Sequence, residues 1–405
     1  MNFLKRIENQ TLIAIFLAVL IGISFPSIIL KFSVIGKVFL KLLKMVVTPL
    51  IFTSVFTSLL NLKSFKTLER VGIRTVIYYL NTTSLSVLLG LFIVNIIKPS
   101  AEIKIREIPK LKTISLEDLV LGLFPENIVK SFASNEVIPI IFFAIVLGLA
   151  ALKIGKKAQP LNSFFEALNE SLLILTRGII QLTPVGVFFL VGSLVAKEGF
   201  APLLSLWKYA GTVILGLAIH GLIILPFILY LFTQTNPWQY FLCIREAPLL
   251  AFSTASSSAT LPVTIEVAEE KAKIRSEIAG FVLPLGSTIN MDGTALYEAV
   301  AAMFIAYSYG LKLTFFQQFL IFITAVLASV GAAGIPSAGL VTLTLVFQSV
   351  GLPLEGLGLI LAVDRFLDML RTSINVWGDL VGAKIIDHWI NKESLLLKIM
   401  TGKIK

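Results

Sequence analysis

Long apolar runs separated by short charged bridges dominate the first 235 residues of the chain. A helix needs about 20 apolar residues to cross a bilayer, and each of these runs is long enough to do so. The runs are 10–31, 34–61, 71–97, 119–152, 161–195 and 202–232. The longest polar stretch between them, 98–118, is predicted to be an exposed loop. The pattern indicates an all-α integral membrane protein that crosses the bilayer several times.

The apolar runs become shorter after about residue 236, and small polar residues interrupt them. Runs of about 14–16 residues cannot span a bilayer, and each is followed by residues that favour turns and helix ends. The pattern predicts a re-entrant hairpin, a broken helix, a second re-entrant hairpin and a last helix, at 236–272, 273–309, 313–350 and 354–390. Pro262 and Pro336 are expected to fix the turns at the two hairpin tips, 253–262 and 330–339.

The two predicted tips cannot face lipid, because irregular backbone is tolerated at membrane depth only inside protein or along a wet cavity. We therefore expect them to meet near the middle of the membrane. The order hairpin, helix, hairpin, helix suggests an internal duplication, and secondary transporters often place their sites between such repeats. The chain accordingly divides into a scaffold, 1–235, and a part that carries the site, 236–391.

Composition argues against an ordinary soluble domain. Apolar residues make up 56% of the 405 residues and charged residues 14%, against about 45–50% and 25% in globular proteins. The net charge of +10 lies in bridges between apolar runs, where it is expected to face lipid headgroups rather than nucleic acid. A single cysteine, Cys243, excludes a disulfide framework and a cysteine-based metal site. The first run could be a cleaved signal peptide, but its length favours a spanning helix.

The last predicted helix carries a stripe of polar residues that are spaced by three or four positions and therefore share one face. They are Asp364, Asp368, Arg371, Thr372, Asn375 and Asp379. A charge at the bilayer centre costs about 2.5–3.5 kcal/mol on insertion scales, so this face requires partners or a bound ligand. The alternative is a helix that leaves the membrane with a solvated face, against which the apolar flanks 357–363 and 380–386 argue.

Arg371 and Asp368 lie one turn apart and suit a zwitterionic acidic ligand. The planar guanidinium of arginine can bind a carboxylate through two hydrogen bonds, and an aspartate can pair with an ammonium group. A dicarboxylate without an amine would gain nothing from Asp368 and would be repelled by it. The alternative is that Arg371 and Asp368 only neutralise each other.

The motif Asn290-Met-Asp-Gly-Thr294 interrupts an apolar run. Gly293 beside Asp292 favours local unwinding, which frees carbonyl oxygens. Hard cations prefer oxygen ligands, and broken helices in transporters supply them. Asp292 and Asp379 are therefore candidate cation-binding carboxylates, whereas the alternative for this motif is a simple kink.

The predicted hairpin tips offer groups that can approach a ligand closely. The serine run 256–258 supplies hydroxyl groups, and Gly331, Gly334 and Gly339 let the backbone come near a ligand. Glycines in a membrane hairpin are also a packing device, which is the alternative interpretation.

An intramembrane hydrolase is the competing class of function, and it could use Asp292, Asp379 or a tip serine. Neither of the two histidines, His220 and His388, lies near these motifs in the sequence, and no pair of nucleophile and base is evident. We therefore predict that the protein is not an enzyme. A pure anion channel is a further alternative.

Four motifs follow one another along the second half of the chain: Ser256-Ser-Ser-Ala-Thr-Leu-Pro262, Asn290-Met-Asp-Gly-Thr294, Gly-Ile-Pro-Ser-Ala-Gly at 334–339 and Asp368-x-x-Arg371-Thr-x-x-Asn375-x-x-Gly-Asp379. These motifs, in this order, resemble those of the dicarboxylate/amino acid:cation symporters, the family of excitatory amino acid transporters and archaeal aspartate transporters. They cover about 236–390. The first half agrees in the number of spans and in Tyr78-Tyr79-Leu-Asn-Thr82-Thr83.

The resemblance implies a homotrimer whose protomers have eight transmembrane helices, two re-entrant hairpins and inverted repeats, and work as elevators. Region 1–235 would hold mainly scaffold and trimerisation helices, with 71–97 and 202–232 contributing partly to the transport domain formed by 236–391. The implied location is the cell (inner) membrane, which the chain would cross several times. The implied partners are an acidic amino acid, sodium and the lipid bilayer, with no nucleic acid.

The resemblance also implies a substrate site. Arg371 would bind the side-chain carboxylate of the substrate, and Asp368 would bind its amino group. The second tip would close over the substrate at Gly339 as an extracellular gate. Further contacts would come from Ser257, Thr294, Ile335, Thr372 and Asn375.

Three sodium sites follow from the same resemblance. The first would consist of Asp379 and the carbonyl groups of Gly286, Asn290 and Asn375. The second would consist of Thr288 and the carbonyl groups of Ser329, Val330 and Ala332. The third would consist of Tyr79, Thr82, Thr83, Asn290 and Asp292.

The chain departs from the family pattern at two positions. Archaeal relatives carry an arginine just before the serine run, where this chain has Ala255, and animal relatives carry one just after the binding aspartate, where it has Met369. Arg365, one turn before Asp368, is a candidate to compensate.

The resemblance leaves other substrates of the same family to consider. The alternative is a proton-coupled dicarboxylate symporter, but members that take succinate-like substrates lack the amine-binding aspartate that Asp368 matches. Neutral amino acid carriers lack the arginine that Arg371 matches. The sequence therefore predicts a sodium-driven symporter for aspartate or glutamate.

Overall fold

The structure, a computed structural model, describes residues 7–61, 68–101, 121, 124–134, 137–199, 203, 205–330 and 338–400, and most of these residues are helical. In chain order the helices are α1 (Ile7–Ser24), α2 (Pro26–Lys31), α3 (Ser33–Asn61), α4 (Leu68–Ile97), α5 (Ile128–Ser134), α6 (Val137–Ile154), α7 (Gln159–Gln181), α8 (Thr183–Glu198), α9 (Leu206–Ile219), α10 (Leu225–Thr233), α11 (Pro237–Ile244), α12 (Glu246–Thr254), α13 (Ser257–Glu266), α14 (Ser276–Ile289), α15 (Asp292–Ser308), α16 (Phe315–Val330), α17 (Ala338–Val350) and α18 (Leu357–Met400). The predicted all-α class is confirmed. Most of the predicted loop, 98–118, lies outside the described residues.

Several stretches in the first half are long and apolar enough to cross a bilayer. Within the described ranges they are Ser33–Thr57, Val71–Ile97, Pro139–Gln181 and Leu206–Thr233. Large apolar side chains also lie exposed on the outer surface, among them Leu222 at 77% and Phe315 at 76%. A surface of this kind is stable against lipid and unstable in water, so the chain is a membrane protein that crosses the bilayer more than once.

Among the predicted spans that are divided into separate helices are 10–31 and 161–195. The run 10–31 breaks at Phe25 between α1 and α2, and the run 161–195 breaks at Leu182 between α7 and α8. Each second helix has a proline in its first turn, Pro26 or Pro184. Proline lacks the N–H group that a continuous helix would need there, whereas the first turn of a new helix tolerates it.

Helix α15 lies at the centre of the protein. All of its residues except Tyr307 are buried, and it packs against α4, α9, α16, α17 and α18. A helix that is apolar on every face belongs in an interior. A second apolar cluster joins α10, α11, α12, α14 and the later turns of α18. Ile374 of α18 packs against both this cluster and the larger cluster around α15.

The first predicted hairpin tip is present, but its turn is not made by proline. Helix α12 ends at Thr254, Ala255 adopts a left-handed conformation with a φ of 48°, and the hydroxyl of Ser256 accepts a hydrogen bond from the N–H of Ala259 at 3.1 Å. Pro262 lies inside α13, so the expectation that it fixes the turn is wrong. Of the second predicted tip, 330–339, residues 331–337 with Gly331, Gly334 and Pro336 lie outside the described residues.

The predicted helix break is confirmed, with one correction. Only Asn290 and Met291 are non-helical, because α14 ends at Ile289 and α15 begins at Asp292. Gly293 is therefore not the unwound residue. A Cβ atom at Gly293 would lie 2.8 Å from the carbonyl oxygen of Arg371, so the glycine is needed for close approach to α18.

Helix α18 follows a short 3-10 turn at Leu354–Gly356. It ends at Met400, ten residues beyond the predicted end at 390. The polar stripe on it is buried inside the protein, including Asp364, Asp368, Arg371, Thr372, Asn375 and Asp379. The alternative of a solvated face is therefore wrong. The insertion cost of these charges has to be met by partners within the protein.

Candidate functional site

The carboxylate of Asp292 lies at the start of α15 and is fully buried. Its Oδ1 accepts a hydrogen bond from the hydroxyl of Thr83 on α4 at 2.7 Å, and its Oδ2 lies 2.9 Å from Nε2 of His220. Ser86, one turn further along α4, donates to the backbone carbonyl of Asp292 at 2.7 Å. Helix α4 thus holds both the side chain and the backbone of Asp292.

The carboxylate of Asp379 lies beside Asn290, the first residue of the helix break. Its Oδ1 accepts a hydrogen bond from Nδ2 of Asn290 at 2.9 Å. A Cβ atom at Gly286 would lie 2.5 Å from the same oxygen and 2.4 Å from the hydroxyl of Tyr79, so only glycine lets this carboxylate reach α14. The sequence-predicted residues Gly286, Asn290 and Asp379 are thus brought together.

Asn290 and Asn375 connect the break to its neighbours. The hydroxyl of Thr82 lies 3.5 Å from Oδ1 of Asn290 and 3.2 Å from the carbonyl oxygen of Tyr79. Asn375 accepts a hydrogen bond from the N–H of Gly293 at 2.8 Å and donates to the hydroxyl of Thr294 at 3.3 Å. The break is therefore surrounded by hydroxyl, amide and carbonyl oxygens with two carboxylates, which is the donor set that hard cations prefer.

The residues of the second implied sodium site are only partly described. Thr288 donates its hydroxyl to the carbonyl of Leu285 at 3.0 Å, and Ser329 donates to the carbonyl of Val326 at 2.7 Å. Both hydroxyl groups thus bond within their own helices, although α14 and α16 are in contact. Val330 ends α16, and Ala332 lies outside the described residues.

Arg371 is the central charged group of the second part of the site and has no exposed surface. Its Nη2 donates to Oδ1 of Asp368 at 2.8 Å, and its Nη1 donates to Oδ1 of Asp364 at 2.9 Å. The guanidinium carbon lies 3.7 Å from the centre of the Tyr297 ring, whose hydroxyl donates to the same Asp364 oxygen at 2.6 Å. A cation over an aromatic face is attracted by the ring, so Tyr297 and Asp364 together fix the guanidinium plane.

The other implied substrate contacts fall into two groups. A Cβ atom at Gly339 would lie 3.1 Å from Cγ2 of Thr294 and 3.4 Å from Nη2 of Arg371, so these three residues adjoin. Thr372 instead donates to the carbonyl of Asp368 within α18, at 2.8 Å. Ser257 donates to the carbonyl of Ser287 at 2.9 Å. Ile335 lies outside the described residues.

Tyr297, Glu298 and the pairing of Asp364 were missed by the sequence analysis. Glu298 is fully buried and accepts a hydrogen bond from Thr342 of α17, while its Oε2 has no hydrogen-bond partner among the described residues. The sequence pattern could have indicated them, because Tyr297 and Glu298 follow Thr294 by three and four positions and so share its helix face. A glutamate inside an apolar helix of a membrane protein is by itself an indication of a functional group.

His220 corrects a further expectation. It is 72 positions from Asp292 along the chain, yet the two side chains form a buried pair. The expectation that neither histidine lies near the motifs is therefore wrong for His220, because the π-helical turn after α9 places it at the break. The Nδ1 atom has no hydrogen-bond partner among the described residues, so no serine completes a hydrolytic arrangement at this pair.

Arg365 is the second cation near Asp368. Its Nη1 lies 3.6 Å from Oδ2 of Asp368, the oxygen that Arg371 does not hold. Two arginines therefore face the two oxygens of one carboxylate. With Asp364 included, the group contains two positive and two negative formal charges.

The fold and the site define a membrane protein with a broken helix and buried charged groups at its centre. The profile of the sodium:dicarboxylate symporter family matches residues 7–389, and the chain belongs to this family. The family predicted from the motifs is thereby confirmed.

Curated relatives agree with this assignment. An excitatory amino acid transporter 3 of Mus musculus is 38% identical, over 88% of this chain and 79% of its own length. An excitatory amino acid transporter of Caenorhabditis elegans is 37% identical, over 90% of this chain and 82% of its own length. A neutral amino acid transporter B(0) of Oryctolagus cuniculus is 35% identical, over 91% of this chain and 75% of its own length. Overall identity therefore does not separate the two substrate classes, and the site has to do so.

Proposed function

We propose that this protein is a secondary active symporter that couples the inward flux of sodium to the uptake of acidic amino acids such as aspartate and glutamate. The observation that carries the proposal is the buried pair of Arg371 and Asp368, on the same helix as Asp379. Membership of the family and the names of the excitatory relatives support the same substrate class. No step of the proposed activity changes a covalent bond, so the protein would not be an enzyme.

The contacts of Arg371 support a ligand that carries both charges. In this structure the guanidinium is shared between Asp364 and Asp368. A ligand carboxylate can replace Asp368 on Nη2, and Asp368 can then accept a hydrogen bond from the ligand ammonium. One ion pair is thus exchanged for two, and Arg371 and Asp368 each keep a partner. A succinate-like dicarboxylate would take Arg371 from Asp368 without offering an ammonium group in exchange, so that of its two arginines Asp368 would keep only Arg365.

The substrate alternatives differ at Arg371 and Asp368. A neutral amino acid would leave the guanidinium of Arg371 without its second carboxylate, which disfavours a neutral substrate despite the similarity to the B(0) transporter. The proton-coupled dicarboxylate symporter remains the second candidate within the family, and the carboxylate of Asp368 disfavours it through repulsion.

The two carboxylates beside the helix break provide the reason for cation coupling. An anionic substrate enters a cell against a negative interior potential, which costs about 2.3 kcal/mol per charge per 100 mV. Co-transported cations reverse the sign of the charge that moves. Asp379 with Gly286, Asn290 and Asn375 would form one sodium site, and Asp292 with Tyr79, Thr82, Thr83 and Asn290 would form another. We assign a third to Thr288 with the carbonyl groups of Ser329, Val330 and Ala332.

The larger assembly is proposed from the family. A homotrimer in the cell (inner) membrane would hold the scaffold, 1–235, still, while the transport domain, 236–391, moves with parts of 71–97 and 202–232. Eight transmembrane helices and two re-entrant hairpins would build each protomer. The second tip, with Gly339 and Ile335, would form the extracellular gate over a substrate bound by Ser257, Thr294, Thr372 and Asn375.

Uptake by the purified full-length chain in proteoliposomes tests the proposed function. We expect radiolabelled aspartate or glutamate to accumulate under an inward sodium gradient and to stop accumulating when external sodium is replaced by choline. Excess unlabelled aspartate should compete, and equal concentrations of succinate or alanine should not.

The competing functions give different results in the same assay. Uptake driven by a proton gradient alone, with succinate as an equal competitor, would support the dicarboxylate symporter instead. Chemical conversion of the labelled amino acid would support an enzyme. We expect the label recovered from the proteoliposomes to be the unchanged amino acid. Anion conductance without accumulation would support a channel.

Removal of the Arg365 side chain should moderately weaken the binding of acidic substrates. Without Arg365 the site would hold two carboxylates and one guanidinium, so an anionic ligand would meet an excess negative charge. A partly exposed ion pair contributes up to about 1 kcal/mol, and we expect Arg365→Ala to raise the dissociation constant of aspartate about five-fold. Isothermal titration at saturating sodium measures this change.

Arg365→Lys is the matched control, because it keeps the positive charge and should stay near the wild-type affinity. An unchanged affinity in Arg365→Ala would show that Arg365 does not compensate for the arginines absent at Ala255 and Met369.

A further inference from the structure

His220 occupies a position that the proposed sodium sites do not include. Its side chain and that of Asp292 both have no exposed surface, and Nε2 lies 2.9 Å from Oδ2 of Asp292. Thr83 donates to the other oxygen of this carboxylate at 2.7 Å. The two carboxylate oxygens of Asp292 are therefore hydrogen-bonded by two different segments, α4 and the segment after α9. A carboxylate held at both oxygens cannot rotate freely about its terminal bond.

The backbone around His220 is shaped to aim this side chain. Residues His220–Ile224 form a π-helical turn between α9 and α10. Such turns insert a residue into a helix, and they occur often at functional sites because they redirect a side chain. The residues on either side of His220 are apolar, so the local sequence gives no packing reason for a buried polar side chain at this position.

Contacts with α18 fix the π-helical turn. The indole N–H of Trp377 donates to the carbonyl of Gly221 at 3.0 Å. A Cβ atom at Gly221 would lie 2.4 Å from Cδ1 of Ile374, so the turn lies directly against this helix. The helix that carries Arg371 and Asp379 therefore also sets where His220 points.

The hydrogen bonding of His220 favours a role at Asp292. The carboxylate accepts, so Nε2 donates, and in a neutral imidazole Nδ1 is then an acceptor. Nδ1 has no hydrogen-bond partner among the described residues, and a buried polar atom without a partner costs about 1–3 kcal/mol. A simple core position would avoid this cost with an apolar residue, whereas this position holds a histidine of which only Nε2 has a hydrogen-bond partner among the described residues.

We propose that His220 is a positioning residue for cation binding at Asp292. Its Nε2–H group orients the carboxylate so that Oδ1 and the oxygens of α4 can face one sodium ion, as the second hydrogen-bonded layer does around metal ligands in general. The inference rests on the proposed function, because it requires that sodium binds at Asp292. It adds a residue that acts through the carboxylate and does not touch the ion.

Three substitutions at His220 test this role in the full-length chain in proteoliposomes. The amide nitrogen of glutamine reaches the place of Nε2, whereas that of asparagine reaches only the place of Nδ1, and leucine has no donor. We expect His220→Leu and His220→Asn to raise the half-saturating sodium concentration for aspartate uptake about ten-fold or more, and His220→Gln to stay within about three-fold of the wild type. At saturating sodium, aspartate affinity should return close to wild type in all three.

The asparagine and glutamine variants differ by one methylene group, so their comparison does not depend on whether His220→Leu folds. Tyr307→Phe is the matched control, because it removes a hydrogen bond to Asn95 at the far end of α15, fifteen residues after Asp292. Its sodium dependence should stay within about two-fold of wild type, well below the shift typical of a lost outer-layer partner.

The outcomes separate this inference from the proposed function. Equal shifts for asparagine and glutamine, or a lower maximal rate at unchanged half-saturating sodium, would assign His220 a structural role and overturn the inference. Wild-type sodium dependence in all variants would overturn it too, while leaving the symporter intact. Uptake by the wild type that does not depend on sodium would overturn both.

Discussion

Replacing Arg371 with cysteine is expected to abolish the binding of aspartate and glutamate. Arg371 has no exposed surface, and its two Nη atoms are placed to hold carboxylates. Truncating one partner of a buried, hydrogen-bonded charge pair costs about 2–5 kcal/mol, which corresponds to an affinity loss of about 30-fold to several thousand-fold. Isothermal titration of the purified protein with aspartate at saturating sodium measures the loss.

A second measurement shows whether the Arg371→Cys protein is folded. Sodium should still raise its melting temperature, because ligand binding to the native state stabilises it and the carboxylates of Asp292 and Asp379 are unchanged. Arg275→Cys is the matched control, since it removes an ion pair with Asp387, 2.7 Å long, that lies outside the site. The control should bind aspartate normally. Unchanged aspartate affinity in Arg371→Cys would make Arg371 a structural residue and remove the basis for an acidic substrate.

The stripe on α18 was predictable because it depends only on helix geometry. Residues three or four positions apart share a face whatever the rest of the fold does, and Asp368, Arg371, Asn375 and Asp379 are all buried in the structure. The break at Asn290 was predictable for a similar reason, since an asparagine, an aspartate and a glycine in an apolar run act locally. Both features follow from a few neighbouring residues.

The partners of these residues were not predictable in the same way. Asp364 was recognised as part of the stripe, but its hydrogen bond to Arg371 depends on the side-chain conformation and on Tyr297 from another helix. The contact of His220 with Asp292 requires a π-helical turn that no apolar pattern reports. Hydrophobic periodicity gives the face of a helix, and it does not give the register of one helix against the next.

The two misassigned residues show the same limit on a smaller scale. Pro262 was expected at the turn because proline cannot continue a hydrogen-bonded helix, yet the left-handed Ala255 and the capping Ser256 already complete the turn before it. Gly293 was expected to unwind the helix, yet its lack of a side chain is needed for contact with the backbone of Arg371. A residue type restricts what can happen at a position, and the neighbouring elements decide which of its properties is used.

Asn375 connects the proposed substrate and sodium sites. It lies one turn after Arg371 and one turn before Asp379, and it binds both the backbone of Gly293 and the hydroxyl of Thr294. A ligand that moves Asn375 or Thr294 therefore also moves the first turn of α15, where Asp292 begins the helix. This shared turn gives a physical route by which substrate and sodium can affect each other's binding.

Replacing Asp379 with asparagine is expected to weaken sodium binding and, through it, substrate binding. The change keeps the shape of the side chain beside Gly286 and Asn290 and removes its charge. We expect the sodium concentration that gives half-maximal aspartate binding to rise about ten-fold or more, as for other losses at a metal site. Coupling between two ligands is reciprocal. The factor by which sodium strengthens aspartate binding should therefore be smaller in the variant, and the factor by which aspartate strengthens sodium binding should fall by the same amount.

Aspartate titrations of wild type and Asp379→Asn at several sodium concentrations measure both effects together. The affinity of the variant should fall most at low sodium and recover as sodium rises, because the substrate contacts of Arg371 and Asp368 are unchanged. Asp387→Asn is the matched control, two turns further along α18, where the carboxylate binds Arg275 instead of facing the helix break. The control should keep the wild-type sodium dependence. An affinity loss in Asp379→Asn that is equal at every sodium concentration would separate Asp379 from the cation site, and coupling would then have to rest on Asp292 and the hydroxyl groups of α4.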